Sequence, residues 1–229
     1  VGLIALLALV VAIGGSTALA WDRPITDAFV SLRSPGVDRF ALWVSRLGST
    51  PVVLAGGVAL VAIAARRCRS VALVMAVTVL ARPPVEWLLK EVIERPRPSG
   101  ARLVDGTGFS FPSGHVLATA ATWGFVPVVA ALYTRRRWIW WTLAGLTWTL
   151  ISLVAWSRVW LGVHWTSDVV AALALAFLAL SVAEKCMERH HEHPVRSSGL
   201  SNLLRTVTYR TACGRGDWGA RRERERQPA

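Results

Sequence analysis

Long runs of apolar residues constrain this chain more than any other feature. The first, Val1 to Ala20, carries no charge and is long enough to cross a bilayer. Five more follow at 51–65, 71–89, 113–133, 138–156 and 166–182. With 53% of its 229 residues hydrophobic and a mean hydropathy of +0.44, the chain lacks the polar surface that a water-soluble domain needs. The prediction is an all-α, integral-membrane six-helix bundle over residues 1–183, followed by a basic tail over 184–229.

The formal net charge is +12, but its placement argues against nucleic-acid binding. Basic residues cluster in short loops between apolar runs, at Arg66, Arg67 and Arg69 and at Arg135, Arg136 and Arg137, and again in the tail. Such loops mark the cytoplasmic side of a multi-pass protein. The 21–50, 90–112 and 156–165 segments then face outward, and the tail lies in the cytoplasm. From His190 onward the chain is too polar to bury a core, which predicts a disordered segment touching anionic headgroups. His190, His191 and His193 read as solvated rather than as metal ligands. Cys68, Cys186 and Cys213 show no metal-ligand spacing, fall on the cytoplasmic side and are expected to stay reduced.

Residues 21–50 are mixed in character. Phe40, Trp43, Val44 and Leu47 recur at helical spacing among Asp38, Arg39 and Arg46, the pattern of an amphipathic helix lying in the membrane interface or of a packed loop helix. Ala18-Leu19-Ala20 resembles a signal-peptide cleavage site, although the long apolar run favours a retained first helix. Trp138, Trp140 and Trp141 suit an interfacial belt at the start of the fifth span.

Three short polar stretches interrupt the apolar pattern, all at ends of spans on the outer side. They are Lys90 to Pro98, then Phe111-Pro112-Ser113-Gly114-His115, then Ser157-Arg158 with His164 and Asp168 beyond. Taken singly each has a plain structural reading. Lys90 and Arg97 suit interfacial anchors, Ser113 suits a helix N-cap, and His164 and Asp168 suit a helix-surface pair. Their coincidence on one face points to a shared site.

If they converge, Lys90, Arg97 and Arg158 bring three positive charges, and the arginine forks match a phosphate. Ser113 and the N–H groups of Gly114 and His115 fall at a helix N-terminus, which favours an anion, and Gly114 permits its close approach. On a shared helix face, Asp168 accepts the proton of His164 Nδ1 and leaves Nε2 as a nucleophile. His115 protonates the departing oxygen and then activates water. The cationic cradle stabilises the phosphoryl transition state, so neither metal nor cofactor is called for. Arg82 and Glu86, at i, i+4 in the third span, with Glu86 four before Lys90, form a structural ion pair or a support for Lys90. Pro83 and Pro84 predict a kink there.

The three stretches resemble the signature of the type-2 phosphatidic acid phosphatase family, whose site is shared with vanadium-dependent haloperoxidases. That pattern is matched by Lys90, Arg97 and Pro98, by Pro112, Ser113, Gly114 and His115, and by Ser157, Arg158, His164 and Asp168. The resemblance implies a phosphohistidine on His164 and acid/base work by His115. It also implies phosphate binding by Lys90, Arg97, Ser113, Gly114 and Arg158. The implied substrates are lipids in the bilayer, among them phosphatidic acid, phosphatidylglycerol phosphate and polyprenyl diphosphates, and the oligomeric state is left open. A lipid phosphotransferase using the same intermediate is the nearest alternative. A haloperoxidase is disfavoured by the apolar spans, and a transporter by ionisable groups that gather at one face rather than at the midplane.

Overall fold

The computed structural model describes residues 18–100 and 102–190, and within them every regular element is helical. The order is α1 (Asp22–Ser31), α2 (Pro35–Leu47), α3 (Thr50–Ala65), α4 (Arg69–Ile93), α5 (Gly114–Trp123), α6 (Val126–Tyr133), α7 (Arg137–Trp160) and α8 (Thr166–His190). Among the described residues four spans pass for membrane crossings by length and apolarity: α4, the consecutive pair α5 and α6, α7 and α8. A fifth arises if α2 and α3, bent by 43° at Gly48-Ser49, count as one. The chain is thus a multi-pass helical membrane protein. Most of the first apolar run, residues 1–17, lies outside the described residues.

The burial pattern fits a lipid solvent. Leu80, Leu73 and Val58 are 68%, 65% and 62% exposed, an arrangement that water would penalise and acyl chains would not. Over the α5–α6 span 56% of the apolar window is buried inside protein, against 17% for α4 and 22% for α7, so this span is the axis of the bundle. Its small residues explain how. Ala120 and Ala121 meet Ala171, Ala172 and Ala176 of α8, letting the two backbones approach closely. The axis is broken between Trp123 and Val126, where Gly124 is followed by Pro127 in the first turn of α6.

Helices α1 and α2 are held down by aromatic contacts. Phe29 of α1, Trp160 and Trp156 of α7 and Phe40 of α2 form a chain of tilted rings, and Trp160 Nε1 donates to Asp38 at 2.9 Å. The predicted apolar stripe of α2 is divided: Val44 is buried against the bundle, whereas Trp43 is 68% exposed and Phe40 and Leu47 are also exposed. α4 runs on through Pro83 and Pro84.

At the opposite end, α8 continues to His190, past residue 183 where the sequence reading ends the membrane unit. Ala183 and Met187 are buried in a cluster with Cys68 and Val71, which holds these extra turns in place. The expected tail beyond, 191–229, lies outside the described residues. The expectation of wholly reduced cysteines is corrected at Cys68, which is disulfide-bonded. Cys186 is free, and Cys213 lies outside the described residues. The expectation rested on compartment and on cysteine number and spacing, and spacing in the sequence carries no information on whether two sulfurs meet.

Candidate active site

Consecutive spans alternate in direction, so the end of α4, the start of α5, the end of α7 and the start of α8 meet at one end of the bundle. All eight predicted site residues lie there, and the 66–69 and 135–137 arginines lie at the other end.

The chain leaves α4 through Glu94, whose left-handed φ of 47° turns it into the extended stretch that carries Arg95 and Arg97. Arg97 is saturated with carbonyl partners. Its Nε donates to Gly108 O at 2.9 Å, and its Nη2 donates to Thr107 O at 2.7 Å and to Phe109 O at 3.1 Å. Its Nη1 donates to Val163 O at 2.7 Å and faces His164 Nε2 at 3.4 Å. Arg97 therefore clamps the 107–109 loop beside the nucleophile candidate.

His164 does not share a helix face with Asp168, contrary to the sequence reading. It sits in the turn before α8, after Gly162, whose φ of 73° suits glycine. Asp168 is the third residue of α8, and its Oδ2 accepts from the backbone N–H of Trp165 at 2.9 Å. This is one half of a capping box. The same oxygen accepts from the Ser110 hydroxyl. It therefore stands 3.6 Å from His164 Nδ1, beyond hydrogen-bond range. The acceptor for Nδ1 is instead the Ser110 carbonyl, at 2.8 Å. A carbonyl only accepts, so Nδ1 carries the proton and Nε2 keeps a lone pair. The Nδ1 partner is therefore Ser110 rather than the expected Asp168.

Burial, first of all, pushes the His164 imidazole down to about 4, against the opposing pull of Asp168 and with added repulsion from Arg158 and Arg97. The ring is neutral at neutral pH and its Nε2 is available to an electrophile.

At the start of α5, Ser113 occupies the N-cap position without capping the helix. Its side chain is fully buried, and Oγ has no hydrogen-bond partner among the described residues. A buried polar atom of this kind is costly unless something fills its place. Gly114 is pressed against Glu86, and a Cβ there would run into the carboxylate. Glu86 Oε2 pairs with Arg82 Nη1 at 2.6 Å, and Oε1 faces Lys90 Nζ at 3.5 Å. The side of Gly114 where a Cβ would stand thus faces a protein carboxylate, which the sequence reading assigned only to the neighbourhood of Lys90. Arg158 is buried, with Nη1 donating to Ser45 of α2 at 2.5 Å and Nε without a partner. His115 stands in the first turn of α5, and Gly48 at the α2–α3 bend packs near its Cβ.

Four residues of this region escaped the sequence reading: Ser110, Ser45, Arg95 and Asp22. Arg95 had a visible signal in the doubled Arg95-Pro96-Arg97-Pro98, whereas Ser45 and Asp22 had none.

A neutral buried histidine, a serine hydroxyl at a helix start with no partner among the described residues, and three cations gather at this end of the bundle. The chain belongs to the PAP2 superfamily, whose family model matches residues 58–192. It is 30% identical over 183 residues to the phosphatidylglycerophosphatase B of Bacillus subtilis, covering 75% of this chain and 86% of that protein. It is 35% identical over 80 residues to an undecaprenyl-diphosphatase of Sulfolobus acidocaldarius, covering 33% of this chain and 34% of that one. The crystal structure of a transmembrane PAP2-type phosphatidylglycerolphosphate phosphatase from Bacillus subtilis matches with a TM-score of 0.73 at 25% identity, covering 84% of this chain and 98% of that one.

Proposed function

We propose that the chain is a membrane lipid phosphatase that hydrolyses a phosphate monoester or diphosphate of a bilayer lipid through a phosphohistidine on His164. The observation that carries this reading is the neutral, buried His164 with Nε2 unprotonated and facing Arg97. In the first step Nε2 attacks phosphorus and the lipid oxygen leaves, taking a proton from His115. In the second, His115 removes a proton from water, which displaces the ring and releases inorganic phosphate. Lys90, Arg97 and Arg158 balance the charge on the transferring group, with Ser113 and the start of α5 donating to its oxygens. Arg97 takes this part by trading one loop carbonyl for a phosphate oxygen. Asp168 stabilises the ring cation from one step behind Nδ1. The cations supply the charge that a metal ion provides elsewhere, and no cofactor enters either step.

The reading includes six spans, with residues 1–20 as the first, the site on the extracytoplasmic face and the tail in the cytoplasm. The arginine loops at the other end of the bundle support that orientation, and the exposed Trp21 just before α1 and the exposed Phe40 and Trp43 of α2 support a site at headgroup level. By their names the relatives act on phosphatidylglycerol phosphate and on undecaprenyl diphosphate. Both are lipid phosphates of the class proposed.

The test is phosphate release by the purified full chain in excess chelator from phosphatidic acid, phosphatidylglycerol phosphate and a polyprenyl diphosphate. Release from at least one of them is expected. Activity that appears only when a divalent ion is restored contradicts the mechanism.

A further inference from the structure

Behind His164, Asp168 belongs to a larger charged unit whose other members, Arg95 and Asp22, the mechanism above does not use. Arg95 is buried and forks between two carboxylates: Nη1 donates to Asp168 Oδ1 at 2.5 Å and Nη2 donates to Asp22 Oδ2 at 2.9 Å. Ser167 closes the unit. Its hydroxyl donates to Asp22 Oδ2 at 2.6 Å and accepts from Arg95 Nη1 at 2.8 Å, and its backbone N–H donates to Asp22 Oδ1 at 2.9 Å. Asp22, Arg95 and Asp168 are each 0–1% exposed.

The charge count is what needs explaining. Arg95 with Asp168 alone would make a neutral buried pair, already expensive to desolvate. Adding Asp22, brought in from α1, leaves one net negative charge sealed from solvent. A structural staple between α1 and α8 needs no such charge, since Ser167 could hold a neutral acceptor equally well. A nucleophile has a use for it. When Nε2 bonds to phosphorus, Nδ1 keeps its proton and the ring becomes a cation, with Asp168 as the nearest carboxylate.

We infer that Asp22 is a positioning residue for the phosphoryl-transfer step: by drawing half of the Arg95 fork, it keeps the Asp168 unit anionic, and that charge stabilises the ring cation formed on His164. This inference rests on the reading of His164 as nucleophile. Its signature is a slower phosphorylation step with unchanged binding, because Asp22 stands behind the ring and touches no part of the cradle.

The experiment uses the full chain in lipid nanodiscs and compares Asp22→Asn with the double variant Asp22→Asn/Arg95→Gln. The single change takes the unit from net −1 to neutral. The double change returns it to −1, and the glutamine amide can still donate to Asp168. Single-turnover phosphorylation by labelled aryl phosphate is expected to slow at least about tenfold in Asp22→Asn, the scale of one buried charge in a medium of effective dielectric near 20. Vanadate inhibition should stay within about twofold of wild type, and the double variant should regain most of the lost rate. A wild-type rate in Asp22→Asn overturns the inference, as does a double variant slower than the single one, the additive pattern of a staple. If Asp22→Asn does not fold, the double variant decides alone: phosphorylation near the wild-type rate supports the charge role and a slow one refutes it. Absence of phosphohistidine in the wild-type enzyme would overturn the reading of His164 instead, whatever the variants do.

Discussion

Gly114→Ala should damage the site without removing any charged or reacting group. The added methyl would run into Glu86, meeting Oε1, Cδ and Oε2 together. The carboxylate has no free direction of retreat, because Arg82 holds Oε2 at 2.6 Å while Lys90 faces Oε1 at 3.5 Å. Either Glu86 moves, taking Lys90 with it, or the start of α5 shifts and carries Ser113 and His115. Overpacking of an interior typically costs about 1–3 kcal/mol. Expressed as lost transition-state stabilisation, that is roughly a five- to 150-fold fall in kcat/KM. Phosphate release by the purified variant measures it. Glu86→Asp shortens the side chain by one methylene, so Gly114→Ala/Glu86→Asp should recover a substantial part of the loss. Wild-type kcat/KM in Gly114→Ala, or a double variant no better than the single one, would refute the reasoning.

Burial holds the folded-state His164 at about 4 against an ordinary 6.5. The unfolded chain therefore takes up the proton first. The stability His164 contributes is complete above about pH 6.5 and is lost as pH falls towards about 4. NMR titration of the ring should show an inflection near 4, and one near 6.5 contradicts the burial argument. Ser113→Ala removes a buried hydroxyl with no partner, so Tm should hold or rise while vanadate inhibition weakens about tenfold, the scale of a hydrogen bond to a charged group. A lower Tm with unchanged inhibition would assign Ser113 to the fold instead. Ser45→Ala deprives Arg158 of its Nη1 partner and should raise KM several-fold with a smaller change in kcat; an unchanged KM removes Ser45 from the site.

The residues proposed to meet the phosphate were legible as a group because chemistry restricts their types. Three cations, a serine-glycine helix start and two histidines have few other reasons to recur at the ends of apolar spans. The supporting residues were not, because their roles exist only after distant segments meet. Ser45 means little until α2 lies across the end of α7, and Asp22 means little until α1 reaches α8, 145 residues away at Ser167. The i, i+4 spacing of His164 and Asp168 misled for a local reason: α8 starts at Thr166, and Asp168 caps that start. Gly162, four residues before Thr166, was the available signal for a turn there. The division of the central span was also signalled, by Gly124 and Pro127, but hydropathy averages over such breaks. On α2, period alone could not tell which flank of the apolar stripe would be covered, since the bundle takes Val44 and leaves Trp43 bare.

The most direct measurement is rapid-quench labelling with an aryl phosphate, whose leaving group departs without protonation. His115→Ala keeps the nucleophile but loses the group that activates water, so label should accumulate on His164. Hydrolysis of that intermediate should slow by about a hundred- to ten-thousand-fold. His164→Ala should take up no label and release no phosphate. Label accumulating in His164→Ala but not in His115→Ala would show that the two histidines have been given each other's roles.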